Sequence, residues 1–100
     1  MKITAINISN YYNTRTKVLD LTSKGITKIM YIPVGCIEIY ANDNQIDYIV
    51  NLPANVEFLD CSDNRLYKLP KFNDKLQEVY CDNNVTDFKL IDCKLNKIIK

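Results

Sequence analysis

The 100-residue chain contains no histidine and no tryptophan. The missing imidazole excludes a Ser-His-Asp triad, a Cys-His dyad and any His-ligated zinc site built from this chain. Only two glycines are present. That is too few for GxGxxG, and GxxxxGKS/T finds no match, so a glycine-rich phosphate loop is excluded. An excess of either charge is lacking as well: 13 Lys plus Arg against 12 Asp plus Glu leave a formal net charge of +1. Such a balance does not advertise a nucleic-acid or anionic-membrane partner. No run approaches the ~18 apolar residues of a membrane span. The opening stretch has no apolar segment of leader length, because polar residues separate Ile3, Ile6 and Ile8. The expectation is a chain kept in the reducing cytoplasm, with Cys36, Cys61, Cys81 and Cys93 as free thiols. There is no CxxC pair to suggest zinc.

What is present is a soluble globular balance, 47% apolar and 25% charged, in a chain long enough for one domain. It is also periodic. Asn44, Asn64 and Asn84 stand 20 residues apart. Five positions before each sit Ile39, Leu59 and Val79, and three before sit Ala41, Cys61 and Cys81. Val56 and Leu76 follow the first two asparagines in one phase, which Cys36 occupies one period earlier. The frame extends back to Leu19, Leu21, Ile26 and Ile29, with Lys24 in the asparagine position. Pro33 and Pro53 share a phase, and Pro70 falls three residues earlier in its own repeat. A recurrence of this length marks a repeat architecture.

The spans Leu19–Pro33, Ile39–Pro53, Leu59–Pro70 and Val79–Asn84 resemble leucine-rich repeats. The short period, the Leu69-Pro70 step and the cysteine before the asparagine are most similar to repeats of bacterial effector proteins and of some large DNA viruses. The resemblance implies a leucine-rich repeat solenoid with short parallel strands on a concave face. It also implies a non-enzymatic module that binds protein on that face.

The residues support such a shape by themselves. Side chains two apart, as in Leu59-x-Cys61, share one face of an extended strand. No single coil buries its face alone, so stacking supplies the core. An asparagine after the strand both donates and accepts, and so serves the turn of its own and the adjacent coil. Asn44, Asn64 and Asn84 are therefore read as a structural ladder. Twenty residues leave no room for a return helix, and proline disfavours helix at the preceding residue. The return segments are expected to be extended or in short 3₁₀ turns, with little or no α-helix.

The expected organisation is a single domain. Residues 1–15 form an N-terminal cap, with Ile3, Ile6 and Ile8 over the first coil. Residues 16–86 form about four repeats, and residues 87–100 form a C-terminal cap. In the last repeat, Val85 and Phe88 fit better if Asn83 rather than Asn84 takes the asparagine position.

Outward positions flanking the expected strands carry seven carboxylates in sixteen residues and no basic side chain. Asp43, Asp63 and Asp82 suit turns. That leaves Asp20, Glu38, Asp60 and Glu78 on the strand face, with Tyr40, Phe58 and Tyr80 among them. Exposed aromatics beside acids suit a basic protein or peptide. These seven are the expected partner-binding residues, with the aromatics as anchors. Cys61 and Cys81 are expected side by side in the core as small hydrophobes. No catalytic residue, cofactor, metal, nucleic acid or membrane partner is expected. Thin caps leave self-association through the solenoid ends as the alternative.

Overall fold

The computed structural model describes residues 1–86, Phe88 and the backbone of Ile98–Ile99. It is a mainly-β solenoid of short strands with no α-helix among the described residues. The strands are β1 (Lys2–Ile3), β2 (Tyr12–Asn13), β3 (Val18–Asp20), β4 (Lys28–Ile29), β5 (Glu38–Tyr40), β6 (Tyr48–Ile49), β7 (Phe58–Asp60), β8 (Glu78–Tyr80) and β9 (Ile98–Ile99). A 3₁₀ turn lies at Ile8–Asn10.

The repeat becomes a register. β3, β5, β7 and β8 pair in parallel with Leu19 opposite Ile39, Ile39 opposite Leu59, and Leu59 opposite Val79. Every step is 20 residues, and the four strands mark three full turns. β9 continues the same step, with Ile98 opposite Glu78. At the other edge β2 pairs antiparallel to β3, so the larger sheet has the order β2-β3-β5-β7-β8-β9. The ladder runs past the strands, since the N–H groups of Leu21, Ala41 and Cys61 donate to the carbonyls of Tyr40, Asp60 and Tyr80.

The middle residue of each strand points inward. Leu19, Ile39, Leu59 and Val79 are fully buried, as are Leu21, Ala41, Ile26, Ile46 and Leu66 from the same coils. Each apolar side chain thus sits on its equivalent about 4.8 Å along the axis. The stacked rows form one continuous core.

After each strand the chain reverses through a left-handed residue. Ser23, Asp43, Asp63 and Asn83 have φ of 53°, 58°, 55° and 58°, a region that short polar side chains tolerate best. The asparagine one position later bonds back into the preceding coil. Asn64 Nδ2 donates to the carbonyls of Ala41, Cys61 and Ser62, and its Oδ1 accepts from the Ile46 N–H at 3.0 Å. Asn84 repeats this on Cys61, Cys81, Asp82 and Leu66. Asn44 repeats it on Leu21, Ala41 and Asn42, and accepts from Lys24 and Ile26. Lys24 in the first coil has no full earlier coil to serve. Gly25 beside it turns with φ of 68°, and its carbonyl accepts from the amino terminus.

Asn84, not Asn83, therefore takes the ladder position, with no deletion in the turn. Val85 is left 71% exposed. In the N-terminal segment Ile3 and Ile8 are buried, but Ile6 is 92% exposed and covers nothing. The turn here is held by Asn7, whose Oδ1 accepts from the Thr4 N–H and whose Nδ2 donates to the Lys2 carbonyl. That bonding points Ile6 outward. Of the segment 87–100, Phe88 is buried and β9 extends the sheet. Cys93 and the rest of that segment lie outside the described residues.

The return segments hold more order than extended chain. β1, β4 and β6 form a second parallel sheet, with Ile3 opposite Ile29 and Ile29 opposite Ile49. The N–H groups of Met30 and Val50 carry its ladder onto the carbonyls of Ile3 and Ile29. The next position in phase is Pro70, which has no N–H to donate, and the described ladder ends at β6. Three residues later Asn73 occupies the phase of Pro33 and Pro53. Its Oδ1 accepts from Leu76 N–H at 2.7 Å, and its Nδ2 donates to Pro53 and Val56 carbonyls.

Candidate functional site

Alternation along β3, β5, β7 and β8 turns the residues flanking each buried centre to the outer face. The register lines them into two columns. One column reads Val18, Glu38, Phe58, Glu78, and the other reads Asp20, Tyr40, Asp60, Tyr80. Acid and aromatic alternate down each column from β5 onward, and the two columns are out of step. Phe58 thus has Glu38 and Glu78 as its lateral neighbours, and Tyr40 has Asp20 and Asp60. No basic residue stands in either column. All seven residues anticipated as partner contacts lie on this face. Asp20 is exposed, and the other six are half-buried.

The aromatics touch. The Tyr40 and Phe58 ring centroids are 5.1 Å apart at 37°, and those of Phe58 and Tyr80 are 5.5 Å apart at 49°. A diagonal seam of tilted rings thus runs across three coils, in the geometry aromatic pairs favour. The carboxylates are held beside it. The Tyr40 hydroxyl donates to Glu38 Oε1 at 2.8 Å. That bond, burial and the neighbouring charges of Glu38, Asp60 and Asp20 all raise the phenol above its ordinary range. Asp60 Oδ1 accepts from the N–H and hydroxyl of Ser62, and Asp20 Oδ1 from the N–H of Thr22. These bonds hold the acid side chains close to their own turns.

Where the strands begin, a recess of about 220 Å³ is lined by Ile37, Glu38, Glu57, Phe58, Gln77 and Glu78. Three carboxylates surround it, with Phe58 as its aromatic element. Glu57 and Gln77 escaped the reading of the sequence, which started each outward set at the strand's first residue. Their signal was the phase they share with Lys17 and Ile37. A larger polar recess of about 620 Å³ lies beside Asp20, between Tyr11, Tyr12, Asn13 and Lys24.

The turn residues form a third column. The Ser23 hydroxyl donates to Asp43 Oδ2 at 2.6 Å, and Asn83 Nδ2 donates to Asp63 Oδ1 at 2.8 Å. The adjacent carboxylates of Asp43 and Asp63 are thereby each given a donor from the outer side. Among the described residues no group of three or more Cys, Asp or Glu side chains is arranged to hold a metal ion.

Cys61 and Cys81 follow β7 and β8 in the same inward row. Cys36, Cys61 and Cys81 are buried free thiols. Burial raises the Cys36 thiol to about 11. It raises Cys61 further, with the neighbouring Cys81 adding to the effect. Thiols held protonated in this way are poor nucleophiles.

No helix among the described residues is long and apolar enough to cross a membrane. In comparisons with known proteins, no family model, no curated protein and no solved structure matches the chain.

Proposed function

We propose that the chain is a non-enzymatic, leucine-rich-repeat-type interaction module of the cytoplasm, and that it binds a basic protein or peptide on the outer face of the larger sheet. The observation that carries the reading is the checkerboard of four carboxylates and three aromatics on one sheet face. Aromatic side chains supply large contact area at low entropic cost, and acids beside them select for cations. A cation seated over such rings gains from their quadrupoles as well as from the carboxylates.

The test uses the intact chain and defined peptides of oligo-arginine and oligo-glutamate, titrated calorimetrically. Oligo-arginine is expected to bind and oligo-glutamate is not. Raised salt weakens the complex, because exposed charges more than about 10 Å apart are screened at 0.1 M. Simultaneous Glu38→Lys, Asp60→Lys and Glu78→Lys substitution is expected to abolish binding. Unchanged affinity in that variant removes the reading.

A second reading is assembly through the solenoid ends. It draws on β1, which stands at the edge of the smaller sheet and so at one end of the stacked coils. Concentration-dependent association in sedimentation, unaffected by the triple substitution, favours this reading. A strict monomer at high concentration ends it.

A further inference from the structure

The face repeats with a longer period than the backbone. Equivalent acids recur every second coil, Glu38 to Glu78 in one column and Asp20 to Asp60 in the other. Two strand spacings amount to about 9.6 Å. A ligand that satisfies both members of a column must present cations at that repeat along the solenoid axis.

Regular peptide conformations differ in what they can present. An extended β-strand places same-face side chains about 6.8 Å apart. An α-helix rises about 6 Å over four residues and about 10.5 Å over seven. A polyproline II helix turns once in three residues with a rise of about 3.1 Å each, so every third side chain recurs on one face after about 9.3 Å. Of these, the polyproline II repeat lies closest to that of the carboxylates. This conformation also docks on aromatic-lined surfaces elsewhere, because it is preformed and costs little further ordering. The Tyr40–Phe58–Tyr80 seam supplies such a surface.

We infer that the basic ligand of this face is a polyproline II segment with a cationic side chain at every third residue, lying across the strands along the solenoid axis. The inference rests on the basic-ligand reading above and adds the ligand's conformation and spacing. Successive cations meet Glu38 and Glu78 on either side of Phe58, in the recess that Glu57 also borders. A guanidinium suits this place better than an ammonium, since it is planar, stacks on rings and bonds carboxylates two at a time. Prolines between the cations rest on the aromatic seam.

The test compares four synthetic peptides, each with four arginines, against the intact chain by calorimetry at low salt. They are the repeats Arg-Pro-Pro, Arg-Pro, Arg-Pro-Pro-Pro and Arg-Gly-Gly. Arg-Pro-Pro is expected to bind about ten-fold more tightly than each of the others, a difference of about 1.4 kcal/mol. The Glu38→Gln/Glu78→Gln double variant, both positions half-exposed, is expected to lose that preference while keeping its circular dichroism. Equal binding of the three proline peptides overturns the spacing and leaves the basic-ligand reading standing. Arg-Gly-Gly matching Arg-Pro-Pro overturns the conformation. Failure of all four to bind overturns this inference and the reading beneath it together.

Discussion

Asn64 shows how much a single side chain does in this fold. It is buried, and its amide satisfies one N–H and three carbonyls across two coils. Substitution by alanine strands several of these in a dry interior, where each unsatisfied group costs about 1–3 kcal/mol. Asn64→Ala is expected to lower unfolding stability by about 3 kcal/mol and Asn44→Ala by about half that, because water reaches the half-buried Asn44. Urea titrations of the two variants check the order, and equal losses would show that burial does not set the effect. The ladder was legible in the sequence because an asparagine recurring at one phase has few other uses. Asn73 was not, because it occurs once and replaces a proline whose phase had moved. Ile6 misled for the opposite reason: it stands between two buried isoleucines, Ile3 and Ile8, while the turn bonded by Asn7 points it to solvent.

Elements of two or three residues have almost no signal of their own. The larger sheet was readable only because its buried centres, Leu19, Ile39, Leu59 and Val79, repeat on the period. The smaller sheet was missed, since strands such as Lys28–Ile29 and Tyr48–Ile49 are too short to alternate, and a proline follows each four residues later. Its end is nevertheless written in the chain, at the position where an N–H donor gives way to Pro70. Pro70→Val copies the residue found at Val50, one coil earlier. The variant is expected to gain a slowly exchanging amide at residue 70 and to extend the smaller sheet by one strand. Hydrogen exchange checks this, and a fast-exchanging amide there would mean that the third return segment diverges for another reason.

For the whole molecule, the absence of histidine removes the group that usually titrates near neutrality. The alkaline side is different. Cys36 is held at about 11 against an ordinary 9.0, chiefly by burial, and Cys61 is raised as well. A folded-state value above the unfolded one means that the fold holds the proton more tightly. The associated stability is complete below pH 9 and is lost as pH rises toward 11, by about 2–3 kcal/mol for Cys36. Cys36→Val, which copies Val56 at the same phase, is expected to flatten this loss. Denaturant midpoints at pH 7 and pH 10.5 measure it, and parallel curves for the two proteins would exclude Cys36 as the cause. The acid-aromatic face was legible as a set of residues from the repeat alone. Its out-of-step columns were not, because they depend on which residue of one coil lies opposite which residue of the next.

The asparagine bonds also have a direction. Asn44 reaches Leu21, Lys24 and Ile26, Asn64 reaches Ala41 and Ile46, and Asn84 reaches Cys61 and Leu66. Every one of these partners precedes its asparagine in the chain. A nascent polypeptide leaves the ribosome amino end first, so each new amide meets a docking place already made. The spiral can close behind the exit tunnel one winding at a time, without waiting for anything still to be translated.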